Sequence, residues 1–253
     1  MRVIQEPAYV LHHHDYGETS LLLEMFTRRH GRLGVVAKGA RRARSPLHAA
    51  LIPFQPLVMG FSGRGELPTL TAAEPAGAAP AIAGAALFCG LYLNELLLRL
   101  LHRHDPHERL FENYSEALGR LGDGRDTEAT LRVFEKRLLE DIGFGLVLDH
   151  DVQGGAPIQP KQSYRYLPER GPVPAHAADG EGIAVQGSSL LALAREELVD
   201  ETALREVKHL MRALLARHLG DRPLTSRGLF RPRSVRSALE YPQAATDAQR
   251  SKT

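Results

Sequence analysis

The feature that most constrains the fold is a change of periodicity across Glu74–Gly84, EPAGAAPAIAG, an Ala-, Pro- and Gly-rich segment that reads as a linker. Before it the chain reads as short strands. Ser20–Phe26 and Gly31–Val36 are compact apolar-rich runs, and the charged junction Thr27-Arg28-Arg29-His30 between them fits a hairpin turn. Pro46–Leu51 suggests a short helix or turn. Phe54–Phe61 and Leu67–Thr71 supply further strands, split by a Gly63-Arg64-Gly65 turn. About five short strands before the linker suggest a small β-barrel or curled sheet.

After the linker the period becomes helical. Leu87, Leu91, Glu95, Leu98 and Leu101 mark a mostly apolar helix ending near His104. Asp105-Pro106-His107-Glu108 signals a restart, with Asp as N-cap, Pro at the first helical position and Glu three residues past the cap. That helix runs to about Gly122, and Leu131, Phe134, Leu138 and Ile142 stripe the next, which stops at Gly143. Residues 150–187 break the pattern, except for Ser163–Tyr166 and Gly182–Val185, which suit two small strands or an ordered loop. Helices return at Ser189–Leu198 and Thr202–Leu219. The expected class is therefore α+β, strands first and helices after, with no internal repeat.

The chain has 253 residues, 43% hydrophobic and 25% charged, which is ordinary for a globular protein. Cys89 is its one cysteine, which excludes an internal disulfide framework and a four-thiolate zinc site. The first residues lack the apolar core of a signal peptide. The longest apolar stretch, Ala85–Leu101, contains Asn94, Glu95 and Arg99, so it reads as a buried helix rather than a membrane span. A cytoplasmic location, without membrane attachment, is the expectation.

Net charge is only +2, but it is unevenly placed. From Met25 to Gly65 there is no acid, against eight basic residues: Arg28, Arg29, Arg32, Lys38, Arg41, Arg42, Arg44 and Arg64. From Arg205 to Arg236 nine basic residues face two acids, Glu206 and Asp221. Residues 66–204 carry twelve basic and twenty-two acidic residues. Two basic zones flanking an acidic middle suit a surface that meets a polyanion.

Enzymatic motifs are missing. None of the five lysines follows a glycine, so there is no P-loop, and no GxSxG elbow, HExxH motif or GxGxxG fingerprint occurs. The chain is not expected to be an enzyme. His12-His13-His14 and His102, His104 and His107 lack the paired-ligand spacing of structural zinc, and they read as exposed strand and helix-end histidines. The loop after Val36 is more telling: Lys38, Arg41, Arg42 and Arg44 can pair with backbone phosphates. Tyr9, Tyr16, Phe26, Phe54 and Phe61 lie in the same region. Most of these belong to a barrel core, while an exposed one or two could stack on bases. Lys208 and Arg212, four apart beside an apolar stripe, suit either an acidic peptide with an apolar end or an ordinary solvent face.

Three stretches carry a resemblance: AYVLHHHDYGETSLLLEMFTRRHGRLGVVAKGARR, LRVFEKRLLEDIGFG and LREVKHLMRALLARHLGDRPLTSRGLF. Along nearly its whole length the chain resembles the bacterial recombination mediator family RecO. The resemblance implies an N-terminal oligonucleotide-binding (OB) barrel over residues 1–78. It implies a helical domain after the barrel, expected over 79–240; the residue pattern adds a loop insertion at about 150–187 and a tail at 241–253 expected to be disordered. The resemblance implies binding of single- and double-stranded DNA and annealing of complementary strands. It also implies loading of the RecA recombinase onto DNA coated by single-strand-binding protein (SSB), together with RecR and in many bacteria RecF.

DNA contact is thereby expected at Arg28, Arg29, Arg32, Lys38, Arg41, Arg42 and Arg44. The acidic, phenylalanine-ended SSB tail is expected at Arg132, Lys208 and Arg212, with His209 where some relatives have a second basic residue. One departure stands out. Many relatives have a four-cysteine zinc site where this chain reads LVLDHDVQGGAPIQP, with His150 and no cysteine. No metal or other cofactor is expected, and residues 150–187 must be held by other contacts. Read without the resemblance, an adaptor that docks an acidic protein or an RNA-binding factor would fit the same charge pattern.

Overall fold

The computed structural model describes residues 2–63, 65, 67–178, 180–220 and 224–226. The expected tail at 241–253 and the basic residues Arg64, Arg222, Arg227, Arg231, Arg233 and Arg236 lie outside them.

Five strands, β1 (Arg2–Tyr16), β2 (Ser20–Thr27), β3 (Gly31–Ala37), β4 (Leu57–Ser62) and β5 (Thr69–Pro75), close a barrel in the order β1-β2-β3-β5-β4. A short helix, α1 (Pro46–Ala50), lies between β3 and β4. The junction Thr27–His30 is indeed a hairpin turn, with Thr27 paired to Gly31. β1 serves both neighbours because it bends: its register slips between Val3 and Glu6 and between Val10 and His12. Its first half thus pairs with β4 and its second half with β2, the role of a bulge at a barrel corner. Closure is parallel, through Val36 paired with Thr69 and the Val36 N–H donating to the Pro68 carbonyl at 2.9 Å. This is the OB arrangement.

Two-residue alternation gives the barrel two apolar faces. Val10, Leu23, Met25, Leu33, Val35 and Met59 fill the interior. Tyr9, Leu11 and Phe26 face outward and join the core of the helical part instead. That part contains α2 (Ala85–Leu100), α3 (Glu108–Gly122), α4 (Thr127–Asp141), α5 (Gly187–Arg195) and α6 (Glu201–Leu219). The Tyr9 hydroxyl donates to Ser115 Oγ at 2.8 Å, and its ring meets Tyr114 edge-on at 5.1 Å. Asn94 of α2 donates to the Leu11 carbonyl at 3.0 Å and accepts from the Tyr114 hydroxyl, whose pKa burial pushes well up.

The strand expected from Phe54 starts at Leu57. Phe54 has φ +67°, and its ring lies over Gly90 of α2, where a Cβ would come within 2.8 Å of it. A glycine is needed there for helix and barrel to approach. β5 runs on to Pro75, into the apparent linker, because Leu57 pairs with Pro75.

α2 ends at Leu100, short of His104. Residues 101–107 then cross the barrel end, with His104 N–H donating to the Arg32 carbonyl at 2.9 Å. Asp105 oxygen takes the space of a Cβ on Gly31, which has φ +65°. The expected Asp105 cap does not form. α3 begins at Glu108 behind His107, because Asp105 is fixed by the barrel and His107 by the Asp141 carboxylate.

Within 150–187 a three-stranded antiparallel sheet forms, in the order β7-β6-β8, from β6 (Ser163–Leu167), β7 (Gly171–Pro174) and β8 (Ile183–Gln186). Its Tyr164, Tyr166 and Val185 belong to the helical core. Ahead of it, the buried Asp151 carboxylate accepts backbone N–H groups of Gln153 (3.1 Å), Gly154 (2.5 Å) and Ala156 (3.0 Å). Among the described residues no helix is long and apolar enough to cross a membrane.

Candidate nucleic-acid interface and basic pocket

The loop from Lys38 to Ser45 leaves β3 through successive turns, Arg42 N–H to Gly39 carbonyl (3.1 Å) and Ser45 N–H to Arg42 carbonyl (2.9 Å), around the buried Ala40. Arg41 ties it to the β1–β2 turn. Its backbone N–H donates to the Thr19 carbonyl at 2.9 Å, and its guanidinium reaches the Gly17 and Glu18 carbonyls at 3.3 Å and Asp15 at 3.0 Å. Lys38, Arg42 and Arg44 are exposed and line an open cleft with Thr71–Glu74 of β5. Among the described residues no carboxylate lies within ion-pair distance of these three side chains. Tyr16, at the end of β1 beside this turn, is 48% exposed, whereas Tyr9, Phe26, Phe54 and Phe61 are buried.

Arg28, Arg29 and Arg32 sit at the other end of β3, roughly 20 Å away for seven extended residues. Each meets an acid from elsewhere in the fold. Arg28 pairs with Glu112 at 2.7 Å and Glu108 at 3.6 Å. Arg29 donates to the fully buried Glu6 through its backbone N–H (2.7 Å) and Nε (2.9 Å). Arg32 donates to the Leu98 carbonyl and lies 3.6 Å from Glu24, and burial pulls its pKa down. A stretch without acids in sequence is therefore not without acids in space.

A second basic site lies between α2, α4 and α6. Arg132, Lys208 and Arg212 surround a pocket floored by Cys89, Tyr92 and Leu131. Burial raises the Cys89 thiol pKa. Arg132 is only 4% exposed, and its Nη1 lies 2.9 Å from Oε2 of the fully buried Glu135. The Tyr92 hydroxyl donates to Glu135 Oε1 at 2.6 Å. Arg212 is exposed, while His209 is exposed and does not line the pocket. The sequence reading missed Glu128. Its Oε2 lies 2.9 Å from Lys208 Nζ and its Oε1 3.4 Å from Arg132 Nε, which has no aligned hydrogen bond. Its four-residue spacing to Arg132 was the available signal. Cations over an apolar floor suit an anion with an apolar end.

The histidines follow strand alternation: the His12 and His14 rings, on one face, are 4.3 Å apart. Among the described residues no group of three or more His, Cys, Asp or Glu is placed to hold a metal. The donors near His150 do not fit a thiolate zinc site. Cys89 lies in α2 against the basic pocket, His150 pairs with Asp149 at 2.7 Å, and Asp151 closes the segment.

Comparison with known proteins covers both halves of the chain. The family model "Recombination protein O N terminal" matches residues 1–79, and "Recombination protein O C terminal" matches residues 83–228. Proteins named DNA repair protein RecO are similar over most of their length. That of Nitrosococcus oceani is 50% identical over 230 residues, 91% of this chain and 94% of the relative. That of Methylococcus capsulatus is 52% identical over 234 residues, 92% and 95% of the two chains. That of Alkalilimnicola ehrlichii is 49% identical over 249 residues, 98% and 96%.

Proposed function

The chain belongs to the RecO family of DNA repair proteins, and from that premise we propose that it is a non-enzymatic mediator that binds and anneals DNA strands. In this reading the mouth of the barrel grips single- and double-stranded DNA, and the basic pocket receives the acidic, phenylalanine-ended tail of SSB. With RecR, and with RecF where it is present, the protein promotes RecA loading on SSB-coated strands. It works without zinc or another cofactor.

The observation that carries the reading is the set of three exposed cations, Lys38, Arg42 and Arg44, without ion-pair partners among the described residues, on a loop that Arg41 ties to the β1–β2 turn where Tyr16 is exposed. Such cations release counterions when they meet phosphates, and an exposed ring offers a stacking platform to any base. Annealing needs no bond-making chemistry. Cations that screen two phosphate backbones lower the repulsion between them, and base pairing supplies the sequence specificity.

The test is a strand-annealing assay with complementary oligonucleotides, run with and without SSB. Replacing Lys38, Arg42 and Arg44 together by alanine should abolish annealing in both settings. Replacing Lys208 and Arg212 should slow it only when SSB coats the strands. Full annealing by the triple variant would refute the barrel-mouth assignment.

A further inference from the structure

The basic pocket already contains a carboxylate. We infer that Glu128 occupies, in the free protein, the place of an incoming ligand carboxylate, so that the pocket binds by exchanging one carboxylate for another. This rests on the reading of the pocket as the site of an acidic tail.

The two acids beside Arg132 are built differently. Glu135 is fully buried, lies 2.9 Å from Arg132 Nη1 as an ion pair and accepts from the Tyr92 hydroxyl, so it is fixed beside Arg132 as a buried counter-charge. The Glu128 side chain is 36% exposed and stands in the first turn of α4, so it can turn outward into water while Glu135 remains beside the buried Arg132. It holds Lys208 at 2.9 Å but meets Arg132 Nε at 3.4 Å without an aligned hydrogen bond. The buried guanidinium therefore keeps two nitrogens without an aligned hydrogen bond, Nη1 beside Glu135 and, on the Glu128 side of the pocket, Nε as an unsatisfied donor. A ligand carboxylate set between Arg132 and Lys208 would fill that donor, which Glu128 does not. Glu128 also sets a threshold. A neutral or purely apolar chain end gains nothing by displacing it, so the pocket discriminates for a carboxylate at some cost in affinity.

The experiment is a fluorescence-anisotropy titration of the full chain with a labelled acidic peptide ending in phenylalanine. One form of the peptide has a free terminal carboxylate and the other a terminal amide. Glu128→Gln, which keeps the side-chain shape, should bind the free-acid peptide about two- to five-fold more tightly, the scale of one half-exposed ion pair. Its gain for the amide should be smaller. Glu201→Gln, a first-turn acid on α6, should change neither.

Equal gains from both variants, equal gains for both peptides, or no gain for Glu128→Gln would each overturn the exchange. Lys208→Ala separates this from the underlying reading. If it weakens binding while Glu128→Gln has no effect, the pocket stands and the exchange falls. If Lys208→Ala leaves binding intact, the pocket assignment falls and the exchange with it. On the unmutated protein, the carboxyl carbon resonance of Glu128 should shift when the peptide is added. A resonance that stays put while the peptide binds would also overturn the exchange.

Discussion

The Arg41 guanidinium lies 3.0 Å from the Asp15 carboxylate and also reaches the Gly17 and Glu18 carbonyls, so one arginine pins the basic loop to the neighbouring β-turn. Its charge is partly matched before any DNA arrives, unlike those of Lys38, Arg42 and Arg44. Replacing these three by alanine should flatten the salt dependence of single-strand binding by about 2 in log–log slope, about 0.7 for each phosphate contact. Arg41→Ala should flatten it by clearly less than one contact. Anisotropy titrations over a series of salt concentrations would measure both, and a full one-contact loss for Arg41→Ala would show that its pairing with Asp15 does not matter.

At the opposite end of β3, Arg29 answers a buried acid. Glu6 is fully buried and accepts both the backbone N–H and the Nε of Arg29. Arg29→Ala should lower stability to urea by about 1 kcal/mol, discounted because the arginine itself is half exposed. The salt slope for DNA should not move. A flattened slope with unchanged stability would reassign Arg29 to the DNA surface.

Among the barrel aromatics, exposure separates two roles. Tyr16 is 48% exposed and Phe26 fully buried. Tyr16→Ala should weaken single-strand binding by about 1–3 kcal/mol, the usual scale of one base stacked on a ring, and leave the melting temperature unchanged. Phe26→Ala should instead cost about 3–5 kcal/mol of stability, since it empties the contact between barrel and helices. Thermal melts set beside binding curves would tell the two apart.

The Asp151 carboxylate titrates below the ordinary aspartate range, chiefly because the Gly154 N–H donates to its charged form, with Ala156 and Gln153 adding to this. A depressed carboxyl pKa stabilises the fold above the unfolded value, near pH 4, and that contribution fades as pH falls through the folded value. The protection of the Gln153, Gly154 and Ala156 amides, measured as exchange relative to the intrinsic rate at each pH, should therefore fall on acidification. Asp151→Asn should exchange faster already at neutral pH. Chelation with EDTA should leave the melting temperature where it is, and a fall would reveal a metal in the fold.

Much of the architecture was legible along the chain. The hairpin at Thr27–His30 and the bounds of α6 follow from local chemistry: a polar junction between apolar runs, and an Asp200 whose carboxylate accepts the Ala203 N–H. The Asp105 cap misled because a sequence signal is local. Here the backbone oxygen of Asp105 is held against Gly31, a residue far away in the chain. Phe54 misled likewise, since its ring answers to Gly90 rather than to a strand neighbour.

For the candidate site the division has a physical basis. The sequence by itself determined that cations gather in two zones, that strands precede helices, and that no thiolate set exists for zinc, because composition and period are properties of the chain. Only the tertiary structure decided which cations are free. Glu6, Glu24, Glu108 and Glu112 come from β1, β2 and α3 to meet Arg28, Arg29 and Arg32, while Lys38, Arg42 and Arg44 form no ion pair with a described acid, although Glu74 lines the same cleft. Coulomb attraction between charges depends on separation in space, and separation in space is what folding sets.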